Sequence, residues 1–148
     1  MEIVVRPLRP GDREQWQPIW DGYNLFYERP DLPVEITETS WARFLDPAEP
    51  MFAAVAEIDG GIVGLVHYLY HRNTAMIEDA CYLQDLFTAP EARGKGVGRA
   101  LIEYVYGEAA KAGSRRVYWQ TQEWNPARKL YDRVAELTPF RRYVKELG

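Results

Sequence analysis

The run Arg93-Gly94-Lys95-Gly96-Val97-Gly98 constrains this 148-residue chain more than any other feature, because it sits between a strand-like stretch and an amphipathic helix. Upstream, Ala80-Cys81-Tyr82-Leu83-Gln84-Asp85-Leu86-Phe87-Thr88 is rich in apolar and aromatic residues and ends at Pro90, the pattern of a buried strand followed by a turn. Downstream, Val97, Leu101, Val105, Ala109 and Ala112 fall on one stripe of a helix that Gly113 can terminate. The loop therefore opens that helix. Glycines at 94, 96 and 98 remove the Cβ atoms that would keep an anion away from the backbone, and the unpaired N–H groups of a first helical turn point at whatever sits there. Arg93, Lys95 and Arg99 add positive charge. Such a loop is built for phosphate.

Spacing narrows the ligand. A Walker loop needs Gly-x-x-x-x-Gly-Lys-Ser/Thr, and this chain offers neither that spacing nor the hydroxyl that would hold Mg²⁺. A dinucleotide fingerprint needs a third glycine where Arg99 stands, and normally occupies the first strand-helix unit.

Composition excludes further classes. The length suits one domain with a core that needs neither disulfides nor metal, and an apolar content of 47% with 27% charged residues is ordinary for a globular protein. A net charge of −4 argues against nucleic acid, where a basic footprint is expected. No run approaches a membrane span, and Met1-Glu2-Ile3-Val4-Val5-Arg6-Pro7 reads as a short strand rather than a signal peptide, so the expected location is the cytoplasm. Cys81 stands alone in the predicted central strand, a place for a small buried hydrophobe rather than a nucleophile. His67 and His71 have no cysteines or carboxylates at ligand spacing, so no metal site is expected.

Strands are predicted at Ile3–Leu8, Met51–Ile58, Ile62–Tyr70, Ala75–Thr88, Arg116–Thr121 and Phe140–Glu146, with Asp59-Gly60-Gly61 as a hairpin turn. Helices are predicted at Asp12–Tyr27, Thr37–Leu45, Gly98–Ala112 and Pro126–Val134, with Pro18 expected to kink the first. This order gives an α/β fold with a mixed sheet.

The remaining signature is Arg-x-x-Gly-x-Gly. The stretch Leu86-Phe87-Thr88-Ala89-Pro90-Glu91-Ala92-Arg93-Gly94-Lys95-Gly96-Val97-Gly98-Arg99-Ala100-Leu101 resembles the central motif of the GNAT superfamily of acetyl-CoA-dependent N-acetyltransferases nearly throughout, and the likeness is best from Gly61 to Tyr131. The resemblance implies a single-domain GNAT fold over residues 1–148, with a mixed, mostly antiparallel central sheet, splayed fourth and fifth strands and flanking helices. It implies acetyl-CoA as the donor, its pyrophosphate on Arg93, Gly94, Lys95, Gly96, Gly98 and Arg99 and its pantetheine arm beside the backbone of Leu86, Phe87 and Thr88. The oxyanion donors would then be main-chain N–H groups freed where the strands part.

Asn125-Pro126-Ala127-Arg128-Lys129-Leu130-Tyr131 resembles the second CoA motif of the family. It implies that Asn125 opens a cofactor-binding helix and that Tyr131 is the general acid, a phenol that stays protonated at neutral pH and can donate to the departing thiolate. Glu123-Trp124-Asn125 and the Tyr-Leu-x-Asp-Leu strand are similar to polyamine and other small-amine acetyltransferases, in which a Glu precedes the Asp. Gln84 holds that place here and cannot be a base, and Asp85 falls on the opposite face of a regular strand. Glu57, Glu78, Asp79 and Glu123 are the other candidate bases.

Acceptor contacts in this fold come from the first two helices and their connection, which here offer Trp20, Tyr23, Phe26, Tyr27 and Glu28, aromatics with a carboxylate that suit a cationic amine. Trp119 and Trp124 would flank the cleft, making Tyr23, Tyr27, Glu28, Gln84, Asp85 and Trp119 the candidate substrate residues. The expected activity is acetyl transfer to a primary amine of a small molecule, such as a polyamine or amino acid, in a ternary complex. Alternatives are a protein lysine or N-terminal acetyltransferase and a non-catalytic CoA-binding sensor. A homodimer is a further expectation.

Overall fold

A computed structural model describes residues Met1–Gly148. Five strands, β1 (Ile3–Pro7), β2 (Met51–Ile58), β3 (Gly61–His71), β4 (Ala80–Thr88) and β5 (Val117–Tyr118), form one sheet in the order of the chain. Helices α1 (Arg13–Phe26) and α2 (Val34–Leu45) accompany one face, and α3 (Val97–Lys111) and α4 (Arg128–Val134) the other. The first four strands run antiparallel and β5 lies parallel to β4, so the sheet is mixed and mostly antiparallel.

Period-two alternation assigns the two faces. Ala54, Ala56 and Val66 point toward Val97, Leu101, Ile102 and Val105 of α3, while Val55 and Leu65 point toward Trp16, Ile19 and Trp20 of α1. Helix α3 lies so close to β3 that a Cβ on Gly64 would sit 2.9 Å from a Val97 methyl and 3.2 Å from the Phe87 carbonyl oxygen, which explains a glycine in a central strand. The β2–β3 hairpin closes through Asp59 (φ 52°) and Gly60 (φ 81°), the paired positive dihedrals of a two-residue turn matching strand twist.

Helix α1 continues unbroken through Pro18, which is exposed, although that residue gives the helix no N–H. Residues 72–79 lie outside any strand, so β4 begins at Ala80 rather than Ala75, and only Val117–Tyr118 of the predicted Arg116–Thr121 strand pairs. The predicted strand Phe140–Glu146 is absent. Its residues pair with no strand, and Phe140 and Tyr143 are 90% and 97% exposed, so their side chains gain no burial from a sheet there.

Two irregularities of β4 shape the centre of the molecule. Strand β5 bonds only at Cys81↔Val117 and Tyr82↔Tyr118, so from Leu83 onward β4 has a free edge and the two strands part. In the pairing with β3, His67 faces Asp85 and Tyr68 faces Leu83, which leaves Gln84 as the extra residue of a bulge. The bulge shifts the phase of the strand: Cys81 and Leu83 pack on the α3 face, but Phe87 packs on the α1 face.

Candidate active site

That phase shift turns Asp85 toward α1. Its Oδ2 accepts a hydrogen bond from Nδ1 of His67 at 2.9 Å, and the Trp16 indole N–H donates to Nε2 of the same ring at 3.2 Å. An indole N–H can only donate, so Nε2 must accept and the ring proton belongs on Nδ1, facing the carboxylate. The His67 side chain is 3% exposed and that of Asp85 13%, so the carboxylate is fixed from behind and opens to solvent at one side. A regular strand would have put Asp85 on the opposite face, as the sequence suggested; the bulge corrects this. Gln84, the bulged residue, is exposed.

Aromatics wall this carboxylate. Tyr23 stacks on Trp20 at 5.4 Å between centroids and lies 4.8 Å from Tyr27. The Tyr23 phenol is driven well above its ordinary range by burial first and then by the Asp85 charge. Tyr27 is raised by burial, an effect opposed by its hydrogen bonds to Thr121 and Asn125. Glu28, on the following turn, is exposed.

The other candidate bases lie elsewhere. Glu57 is bonded to Arg6 at 3.0 Å, Glu78 and Asp79 precede β4 at the end remote from the bulge, and Glu123 is exposed on the loop before α4. Burial pushes the Cys81 thiol up to about 12, so it is no nucleophile at neutral pH.

Across the sheet, Tyr131 of α4 packs on Trp119, with ring centroids 5.4 Å apart and an interplanar angle of 70°. Burial, and then the neighbouring Tyr27 phenol, hold its hydroxyl protonated far beyond neutral pH. Trp119 lies 6.4 Å from Tyr106 on the α3 side, so it backs Tyr131 and does not join the wall of Tyr23 and Tyr27. Trp124 packs against Phe26 at 5.4 Å, on the α1 side.

Asn125 opens the turn that leads into α4, its main-chain oxygen accepting the Arg128 N–H at 3.1 Å. It is 3% exposed; Nδ2 donates to the Tyr27 hydroxyl and to Thr121 Oγ1, both at 2.9 Å, while Oδ1 accepts the Ala127 N–H at 2.9 Å. Its polar atoms tie the loop before α4 to α1 and brace Tyr27.

The loop between β4 and α3 has the shape and donors that a pyrophosphate requires. Gly94 (φ 77°) and Gly96 (φ 88°) occupy the left-handed region, with nothing within 4 Å of the Cβ either would carry. No backbone N–H from Gly94 through Arg99 finds a protein acceptor; the first helical bond runs from the Ala100 N–H to the Gly96 oxygen at 3.0 Å. A row of free donors at a helix start is what a polyphosphate requires. Arg93 folds back, its Nε donating to the Thr88 oxygen at 3.3 Å and its guanidinium lying 5.3 Å from the Phe87 ring centroid. Arg99 pairs with Glu103 at 3.0 Å, and Lys95 is exposed. Gly98 lets α3 approach α4, since a Cβ there would lie 3.3 Å from Leu130. Leu86 and Phe87 direct their side chains into the two cores, leaving their backbone at the free β4 edge.

Replacing Gly96 by Val sets a β-branched residue at positive φ, costing about 1–2 kcal/mol of stability, and covers the free N–H groups. Calorimetry on the Gly96→Val protein should show CoA affinity reduced at least about tenfold. Wild-type affinity would remove the loop from the donor site.

A sheet parted after its fourth strand, with a loop of free N–H donors at the start of α3 and a fixed carboxylate among aromatics, fits an acyltransferase that uses a CoA thioester. A sequence profile of the acetyltransferase (GNAT) family matches residues 14–135, and the chain belongs to that family. It is an acetyl-CoA-dependent N-acetyltransferase. The D-amino-acid N-acetyltransferase HPA3 of Saccharomyces cerevisiae is 40% identical over 139 residues, which cover 92% of this chain and 86% of that protein. The L-ornithine N5-acetyltransferase NATA1 of Arabidopsis thaliana is 28% identical over 95 residues, 64% of this chain and 37% of that protein. Among solved structures, AAC(6')-Iy in complex with the bisubstrate analogue CoA-S-monomethyl-acetylneamine superposes with a TM-score of 0.84 at 18% identity, covering all of both chains, a likeness of fold alone.

His67, Trp16 and Arg29 escape a reading of the sequence. The first two become visible only through the β3–β4 register, and the third through the conformation of Glu28.

Proposed function

We propose that this enzyme transfers acetyl from acetyl-CoA directly to the primary amine of a small molecule, with Asp85 receiving the amine and Tyr131 serving the leaving group. The observation that carries the reading is the Asp85 carboxylate, turned by the Gln84 bulge into an aromatic cleft and fixed from behind by His67. The two relatives named for amino acids and the depth of this carboxylate both support a small acceptor.

Acetyl-CoA supplies an acetyl group activated as a thioester. The loop Gly94–Arg99 would hold its pyrophosphate and the free edge of β4 its pantetheine arm, where main-chain N–H groups can donate to the thioester oxygen. A small-molecule ammonium has a pKa of about 10, so the enzyme must remove its proton at neutral pH. Asp85 accepts it: the His67 N–H holds one oxygen, and the amine would enter beside the carboxylate where the Tyr23 hydroxyl also faces it. Tyr131 holds its proton on Oη, where it can donate to the leaving sulfur.

Incubation with acetyl-CoA and a panel of amino acids, polyamines, aminoglycosides and lysine peptides, followed by thiol release, tests the reading. Turnover of free small amines with no activity on peptides is the expected result. Turnover of peptides alone would overturn it, and so would CoA binding without thiol release from any amine.

A further inference from the structure

Helix α1 ends in an unusual way. The Arg29 N–H donates to the Asn24 oxygen at 2.7 Å and the Glu28 N–H to the Leu25 oxygen at 3.1 Å, the crossed pair of a Schellman cap. That cap demands a left-handed residue, normally glycine, and Glu28 supplies it at φ 60°. A side-chain-bearing residue is strained there by about 1 kcal/mol or more, and such strain persists where the surroundings impose it. The cap turns the chain back on its own helix. Arg29 consequently lies over Tyr23, with Cζ 5.6 Å from the ring centroid.

Arg29 is exposed and joins none of the seven arginine– or lysine–carboxylate ion pairs of the chain. Tyr23 thus has a guanidinium over its ring and the Asp85 carboxylate near its hydroxyl. After burial, the Tyr23 phenol is raised by Asp85 and lowered by Arg29, and both charges also act on Tyr27. Tyr23 therefore has a fixed anion at its hydroxyl and a free cation over its ring face.

We propose that Arg29 anchors the carboxylate of the acceptor, so that this enzyme selects zwitterionic α-amino acids over amines that carry only positive charge. The inference rests on the small-amine reading above and deepens it. A guanidinium pairs with a carboxylate through two parallel N–H···O bonds, while a polyamine brings only cations, which Arg29 repels. The amine end goes to Asp85 and the carboxylate end to Arg29, and this two-point hold fixes which nitrogen reacts.

The test compares the amino acid that turns over fastest with its carboxamide and its decarboxylated amine. The wild-type protein should prefer the amino acid. Arg29→Gln should lower the ratio of kcat/KM for the amino acid over its carboxamide about 10- to 100-fold, through the KM of the amino acid. Arg29→Lys, which keeps the charge without the fork, should recover part of that ratio. An unchanged ratio in Arg29→Gln would overturn the proposal. Fast turnover of polyamines with none of amino acids would overturn it while leaving the small-amine reading in place; no thiol release from any amine would remove both.

Discussion

The Tyr131→Phe enzyme is expected to lose about 100-fold or more in kcat while its KM values for acetyl-CoA and amine stay within about twofold. The substitution removes one oxygen and keeps the ring, so the contact with Trp119 at 5.4 Å and the position of α4 survive. The lost proton would have met charge that develops only as the sulfur departs, which is why the loss falls on kcat and not on binding. Burial holds the Tyr131 phenol above its ordinary range, so the proton stays on Oη throughout neutral pH and the hydroxyl acts as a donor, never as a base. Steady-state kinetics on the purified variant, with thermal unfolding as a control, checks this. Undiminished kcat would assign the hydroxyl to packing alone.

Asp85→Asn should show the second large effect, a fall of about 100-fold or more in kcat/KM for the amine near pH 7. The amide keeps the shape of the carboxylate and can still accept the His67 N–H with its oxygen, so the strand and its bulge are undisturbed. What it loses is the ability to take a proton and to attract an ammonium. Because the free amine has a pKa of about 10, raising the pH supplies deprotonated acceptor without help from the enzyme. The deficit should therefore shrink as pH rises toward 9. A loss of the same size at every pH would point to structural damage, and no loss at all would remove Asp85 from the reaction.

The contrast between these residues and the rest of the chain shows what a sequence of this kind carries. The Asp59-Gly60 turn, the alternation of Ala54, Val55 and Ala56 and the stripe of Val97, Leu101 and Val105 are local patterns, and each forms as its pattern requires. The Gly94–Gly98 loop is legible for the same reason, since strand, glycines and helix adjoin in sequence. The bulge at Gln84 leaves no mark in composition, yet it decides the face on which Asp85 lies and so whether His67 can reach it. Asn125 resembles a cofactor ligand in sequence; only the tertiary fold brings Tyr27 and Thr121 to its amide. The aromatic and β-branched residues at Phe140–Glu146 fail in the opposite direction, because the segment pairs with no strand and its large side chains stay exposed.

In the proposed reaction donor and amine occupy one cleft together, with acetyl passing straight between them. The one thiol of the chain, Cys81, is buried and pushed up to about 12, so it does not carry the group. Initial rates of thiol release, measured while acetyl-CoA and an amino acid acceptor are varied together, test this most directly. Double-reciprocal lines that intersect are the predicted result, whereas parallel lines with acetyl retained on the protein would contradict it.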